Sequence, residues 1–404
     1  MANILFLAHR LPYPPNKGDK IHTYQLLKSL SSRHKVLLGT FVDDPDDEQH
    51  VATVRAMCAD LHISRLNPRA AKLRALAGLA NGEPLTVRFY RDAALRAWVQ
   101  SVRDQGRADA MLVYSSSMLQ YARGFKLPMA IDFADVDSAK WADYGTRHPW
   151  PMSWVYRREA RQLLKVERAG AACARWSLFA TEKEAALFAG LAPESAARAG
   201  VLGNGVDAEY FAPDASRPSP YAEGEIPLVF MGAMDYWPNV DAVTWFAREA
   251  LPRLRQRWPT LRFHIVGRSP APAVSALAGA AVSVTGTVPD VRPYVQHAAV
   301  VVAPLRLARG IQNKVLEAMA MARPVVAASS CVAAMDVTQG QHLLSATEAA
   351  DYVDAVSALL QAPQRAAAIG QAGRERVLAV YGWGARLSGL DSFLGVEAAA
   401  GVKS

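Results

Sequence analysis

Cysteine is scarce in this chain of 404 residues: there are three, Cys58, Cys173 and Cys331, scattered and odd in number. That excludes a disulfide framework and a thiolate metal site, and it fits a reducing compartment such as the cytoplasm. Long apolar runs are also missing. The longest, such as Ala298 to Leu305, fall far short of the roughly 18 residues that span a bilayer. Met1–Ala8 is apolar but short and has no basic leader, so it reads as a first strand rather than a signal peptide. No Gly-x-Gly-x-x-Gly follows that strand, which speaks against a dinucleotide oxidoreductase. Low-complexity tracts and recognisable nucleic-acid-binding modules are absent too.

What is present is a globular composition, 51% hydrophobic and 20% charged, long enough for two domains. Short apolar runs alternate with helical patterns. Asn3–Ala8, Lys35–Val42, Asp60–Ser64, Ala110–Val113, Met129–Phe133 and Leu178–Thr181 read as strands, with helices at Lys20–Ser31 and Arg157–Cys173. After a stretch punctuated by Gly203, Gly205, Pro213, Pro218 and Pro220 the alternation resumes. Strands are expected at Pro227–Met231, Arg262–Val266, Val282–Thr285, Ala299–Ala303 and Pro324–Ala327, and helices at Val243–Trp258, Val315–Met321 and Tyr352–Leu360. Alternation of this kind implies parallel, doubly wound sheets, and its repetition implies two Rossmann-like α/β domains. The expected boundaries are 1–205 and 206–380, with a last segment, about 381–404 and helical over Trp383–Leu394, able to pack back on the first domain. Ligands of open α/β sheets bind beyond the carboxyl ends of the strands, so the site is expected in the cleft between the two.

The second half carries the most informative residues. Gly232 ends a strand just ahead of Pro238-Asn239 and a helix expected to start near Val240, where backbone can approach an anion. Strand Ala299–Ala303 runs into a basic loop, 304–314, and then a helix holding one acid. Arg306, Arg309 and Lys314 suit a diphosphate, assisted by backbone N–H groups near Gly310. Glu317, flanked by Val315, Leu316, Ala318 and Met319, needs a partner. A pair of ribose hydroxyls serves, and so does Lys314 at i, i+3 on a solvated face.

Several of these segments together are similar to bacterial glycosyltransferase family 4, the group 1 glycosyltransferases, over nearly the full chain. The resemblance rests on Asn204-Gly205-Val206-Asp207, on Gly232 through Pro238-Asn239, and on Lys314-Val315-Leu316-Glu317-Ala318-Met319-Ala320 followed by Arg323-Pro324-Val325-Val326. It implies the two-Rossmann GT-B fold and transfer of a sugar from a nucleotide-diphosphate donor, UDP- or GDP-linked, with retention of configuration and no catalytic metal or other cofactor. It assigns Glu317 to the donor ribose, the stretch around Gly286 and Val288 to the base and the loop of Gly18 to the border of the donor phosphates; the chain's own Gly232 and its basic loop with Arg309, Gly310, Ile311 and Lys314 are the candidates for the diphosphate, with Arg268 a further one. Ile131–Ser138 and Ala308–Lys314 look, more narrowly, like sugar transferases of exosortase (PEP-CTERM) exopolysaccharide clusters. Two departures stand out. The family's Glu-x7-Glu pair would begin at position 309, which is Arg, and no base occurs between Met231 and Pro238. A nucleotide-sugar 2-epimerase and a non-catalytic nucleotide-sugar-binding scaffold share the architecture and stand as alternatives.

In the first half, the strand Asn3–Ala8 leads into a Pro-rich loop from His9 to Lys20, with Gly18 just before a helix. His9 suits a catalytic or a structural role. Asp132, Asp135 and Asp137 cluster after a strand. They are candidates to orient the acceptor hydroxyl or the donor sugar, Asp135 and Asp137 above all, while Asp137 or Ser138 also suits a helix N-cap and the cluster invites a metal reading, ranked lower. The entire charge surplus of +8 lies in residues 1–205. No acid occurs from Arg65 to Gly82, where Arg69, Lys72 and Arg74 alternate with Leu73, Leu76 and Leu79. That pattern fits peripheral contact with an anionic membrane, where a lipid-linked glycan acceptor would be found. It equally fits a solvated amphipathic helix with the leucines inward.

Overall fold

The computed structural model describes residues 1–15, 17–306 and 311–396, with the backbone alone at Arg147. The chain divides into two compact units, one of residues 1–203 and the segment from Arg386 onward, the other of residues 204–385.

The first unit is built on seven strands: β1 (Asn3–Ala8), β2 (Lys35–Val42), β3 (Asp60–Arg65), β4 (Ala110–Tyr114), β5 (Met129–Ala134), β6 (Trp176–Phe179) and β7 (Ala199–Val201). Their spatial order is β3-β2-β1-β4-β5-β6-β7, every pairing parallel. β1, β2 and β4 are almost wholly buried, as expected for strands covered by helices on both faces. The short helix Leu390–Leu394 returns to this unit, where Asp391 accepts from Arg33 (2.8 Å) and pairs with His34 (3.2 Å).

The second unit has six: β8 (Ile226–Met231), β9 (Leu261–Val266), β10 (Val282–Gly286), β11 (Val300–Ala303), β12 (Val325–Ala328) and β13 (Leu344–Ala346), in the order β10-β9-β8-β11-β12-β13, again all parallel. A single apolar core runs through it from Val206 to Tyr381. In both sheets the strand order reverses once, between β1 and β4 and between β8 and β11. These reversals open crevices at the carboxyl edge, where ligands of such sheets bind.

The architecture is the expected pair of Rossmann-like sheets, with local differences. The edge strands β7 and β13 escape a reading of apolar runs, since each has three residues and pairs on one side only. β6 lies at Trp176–Phe179 rather than Leu178–Thr181, because Thr181 caps the next helix by accepting from the Glu184 amide. Val243–Trp258 is two helices, Trp237–Glu249 and Leu251–Arg257; Pro252 lacks the N–H that an uninterrupted helix would use. Trp383–Leu394 is likewise two short helices, Trp383–Arg386 and Leu390–Leu394, and Trp383 belongs to the second unit. Gly205 packs there: a Cβ at that position would lie 2.8 Å from the Trp383 ring and 2.9 Å from the Tyr381 carbonyl. Among the described residues no helix is long and apolar enough to cross a membrane.

Candidate functional site

In the second unit the chain leaves β8 at Gly232, whose φ is 154°. Next to it in the sheet, Gly267 follows β9 with φ 152°, and a Cβ there would sit 1.7 Å from the Gly232 carbonyl oxygen. Two glycines therefore let adjacent loops touch through backbone alone. A Cβ on Gly232 would lie 2.8 Å from Asn239 Nδ2 and 3.4 Å from Lys314 Nζ. The space it would fill belongs to those side chains.

Lys314 stands in the helix Asn313–Ala320. Its ammonium donates to Asn239 Oδ1 (2.6 Å) and lies 4.6 Å from the Phe230 ring centroid. Asn239, in turn, donates to the Ala233 carbonyl (2.8 Å). Part of each side chain still reaches solvent, but enough protein surrounds Lys314 and Glu317 to shift both. Burial lowers Lys314 to about 8 against the pull of Glu317, and raises Glu317 to about 7 against the pull of Lys314. The two do not form an ion pair, since Lys314 is turned to Asn239 instead. Among the described residues nothing donates a hydrogen bond to the Glu317 carboxylate, so the solvated i, i+3 pair is not what holds it.

Other expected donor residues of the second unit lie elsewhere in it. Gly286 ends β10 with φ 67° and open space over it, and Val288 and Ile311 pack half-buried on the core. Arg268 is exposed, its carbonyl accepting from the Met234 amide (2.8 Å). Arg309 and Gly310 lie outside the described residues. Arg306 is committed elsewhere: it donates to both oxygens of Asp241 (3.0 and 2.5 Å) and lies over Trp245, so the loop before Gly310 supplies less free positive charge than its sequence suggests. The helix after Gly232 starts at Trp237, earlier than Val240, with Pro238 in its first turn. Gly267 and Tyr210 are additions that sequence reading did not single out, and Asn239, read there only as part of a motif, proves to be the partner of Lys314. The Glu317 charge reaches Tyr210, whose ring carries Arg292 4.0 Å from its centroid.

In the first unit, His9 follows β1 and its imidazole stacks on Tyr114 at the end of β4 (5.6 Å, 10°). His22, from the helix Gly18–Ser31, also stacks on Tyr114 (5.6 Å, 28°) and meets Asp132 Oδ2 through Nε2 (2.7 Å). His9 Nε2 lies 3.4 Å from Asp19, and its buried Nδ1 has no hydrogen-bond partner among the described residues. Burial would raise Asp19, but the hydrogen bonds and charges of His9 and Arg10 outweigh it and hold the carboxyl well below its ordinary range. Burial and four carboxylates, Asp132, Asp19, Asp135 and Asp137, push the Tyr114 hydroxyl far up, which places all of them around one phenol. Desolvation, helped by Glu184, raises Asp135 as well. Gly18 is the first residue of its helix, with open space where a Cβ would stand.

Neither Asp137 nor Ser138 is the helix N-cap. Val136 holds that position, its amide donating to Glu184 (2.8 Å), while Asp137 accepts from Ser116 Oγ (3.0 Å) and Ser138 donates to Glu167. Glu184 and Glu167 supply the acceptors that a capping side chain would otherwise provide. Among the described residues no group of three or more His, Cys, Asp or Glu is arranged to hold a metal ion.

Residues 225–362 match the family model of the group 1 glycosyl transferases. Comparison with the curated proteins finds no match. Among solved structures, sucrose-phosphate synthase from Thermosynechococcus elongatus superposes with a TM-score of 0.67 at 17% identity, covering 97% of this chain and 98% of that one. Anabaena HepE in complex with UDP gives 0.67 at 15% identity, covering 98% and 100%; it has also been solved with UDP-glucose. WaaG, a glycosyltransferase involved in lipopolysaccharide biosynthesis, gives 0.64 at 16% identity, covering 97% and 100%. At these identities the likeness is one of fold.

Proposed function

We propose that the protein is a glycosyltransferase dependent on a nucleotide sugar, with its donor site built on Glu317 and Lys314; the match of residues 225–362 to the group 1 glycosyl transferases and the GT-B-like fold support this reading. One observation carries this reading. A carboxylate with no hydrogen-bond donor among the described residues stands one helical turn from an ammonium, beside the glycine pair at the switch point between β8 and β11. A ribose diol is a donor pair that satisfies the first, and a diphosphate is the anion that suits the second. Arg309, Gly310 and helix N-termini add positive potential where charge develops on the leaving diphosphate. Gly286 and Val288 border the base, with Ile311 and Arg268 at the edges of the donor. HepE was solved with UDP and UDP-glucose, which makes a UDP-sugar the first donor to try.

On the acceptor side we assign His9, Asp135 and Asp137 to orienting the nucleophile, around the Tyr114 phenol. The leaving phosphate can take the acceptor's proton, so retention of configuration requires no strong protein base. The acceptor we propose is a lipid-linked glycan of an exopolysaccharide pathway, hexose-extended at the cytoplasmic face of a membrane that the basic first unit touches peripherally.

A thermal-shift screen of UDP-, GDP- and ADP-sugars tests the donor site. A ligand at 100-fold its Kd should stabilise by about 2.7 kcal/mol, and EDTA should leave the shift unchanged. No shift with any nucleotide, or a strict requirement for Mg²⁺ or Mn²⁺, would overturn the proposal; the latter would point to the aspartates after β5.

Affinity should also depend on pH with a definite sign. Ribose hydroxyls favour the ionised carboxylate, so a Glu317 that titrates near 7 must lose its proton on binding below that pH. Affinity for UDP should therefore rise toward about pH 7. Above about pH 8 Lys314 loses its charge, and affinity should fall. Calorimetric titrations across this range check both limbs. The acid limb must vanish in Glu317→Gln; if it persists, another group is responsible.

A further inference from the structure

The helix Pro68–Leu76 is turned the opposite way from a solvated amphipathic helix. It buries the small residues Ala71 and Ala75 and exposes Leu73 (72%) and Leu76 (53%), among the exposed Arg69, Lys72 and Arg74. Of the two arrangements that its sequence allows, the one with Leu73 and Leu76 packed inward is not the one formed. A helix in water gains by the reverse arrangement. The present one gains only if a second apolar phase lies outside it.

A second segment shows the same inversion. Trp150 (80% exposed), in the turn between the helices Asp137–Arg147 and Met152–Cys173, and Met152 (42%) and Trp154 (50%), in the first turn of the second, face solvent. Neither tryptophan makes a ring contact among the described residues. In the same two helices and the turn joining them, the rings of Trp141, Tyr144, His148 and Tyr156 pack on one another, Trp141 and Tyr156 stacked at 5.4 Å. Exposed Lys140, Arg157 and Arg161 flank it.

The stretch that follows the leucine helix, residues 78–86, is fastened to the helix that carries Trp154. Arg158, four residues after Trp154, donates to the carbonyls of Gly78 and Glu83. Glu159 accepts from the amides of Leu85 (2.7 Å) and Thr86 (2.8 Å).

We propose that these two segments form a membrane-insertion edge: Trp150, Met152, Trp154, Leu73 and Leu76 enter the interface of an anionic bilayer while the surrounding Lys and Arg bind its headgroups. Trp is a side chain suited to the headgroup level, and basic residues beside apolar ones are what an anionic lipid surface selects. Charge complementarity decides for lipid. The entire surplus of +8 lies in residues 1–205, and the leucine helix has no acid from Arg65 to Gly82. A second copy of the same face would set these cations against each other. This deepens the peripheral contact proposed above by naming the residues that insert, and it is tested without donor or acceptor.

The full chain is mixed with phosphatidylcholine vesicles with and without phosphatidylglycerol, and with vesicles brominated on the acyl chains. Binding should require phosphatidylglycerol, and brominated lipid should quench tryptophan fluorescence. Trp150→Ser with Trp154→Ser should lower partitioning about tenfold at unchanged salt. Trp150→Phe with Trp154→Phe should keep most of the binding and lose most of the quenching, which separates insertion from the other tryptophans. Nucleotide-induced thermal shifts of all variants should match the parent, so that a failed donor site and a failed membrane edge give different results. Absence of quenching, or equal partitioning of the serine variant, overturns the proposal. So does a vesicle-free dimer that the serine changes dissolve, because the face is then covered by a second copy.

Discussion

Glu317→Gln should weaken binding of the nucleoside diphosphate by about 10- to 150-fold. The substitution keeps the shape of the side chain and removes its charge and one acceptor oxygen. Hydrogen bonds to a charged group contribute roughly 1.5–3 kcal/mol, and this is the range that the loss converts to. The effect should appear for the bare nucleoside too, because the ribose is the group that loses its partner. Lys314→Ala should instead harm only ligands that carry phosphate. Lys314 is also bonded to Asn239 and lies over Phe230, so a thermal melt must accompany its binding curve; Lys314→Met keeps the packing if the alanine variant is unstable. Calorimetry with uridine and UDP on each variant gives the four numbers required. Should Glu317→Gln bind UDP as tightly as the parent while remaining folded, Glu317 is a helix residue without a ligand and the donor site lies elsewhere.

The largest effect on stability is expected at Gly267. A Cβ there meets the Gly232 carbonyl oxygen at 1.7 Å, and the backbone sits at φ 152°. Gly267→Ala must push apart the ends of β8 and β9, where Met231 pairs with Val266, and strain the backbone besides. Each such defect costs of order 1–3 kcal/mol. Together they should lower stability by about 3 kcal/mol or more, or roughly 6–12 °C in melting temperature for a domain of this size. Gly286→Ala is the control: its φ is 67° but no atom lies within 4 Å of the new Cβ, so only the left-handed backbone is penalised, by about 1 kcal/mol. Equal melting temperatures for the two variants would mean that the backbone contact is not tight.

The two predictions differ in how far sequence alone reaches. Glu317 is visible in sequence because an acid amid Val315, Leu316, Ala318 and Met319 is anomalous wherever the helix packs. Gly267 is one glycine after one strand among several, and nothing local distinguishes it from Gly286. The difference lies across the sheet, in the neighbouring strand's carbonyl. The leucines of Pro68–Leu76 are a sharper case. Their spacing is compatible with packing on either side of the helix, and the choice falls to Ala71 and Ala75, which let the helix approach its neighbours closely.

By itself, then, the sequence determines the succession of strands and helices, the two-sheet architecture, the basic first half and the anomalous acid at 317, because each follows from local periodicity, composition or a single residue in its own context. Tertiary structure alone decides which strands become neighbours and hence which side chains meet. Asn239 reaches Lys314 across 75 positions and His22 reaches Asp132 across 110. Both meetings occur where strand order reverses, at β8/β11 and near β1/β4. Sheet order depends on non-local pairing of parallel strands, and no spacing along the chain encodes it.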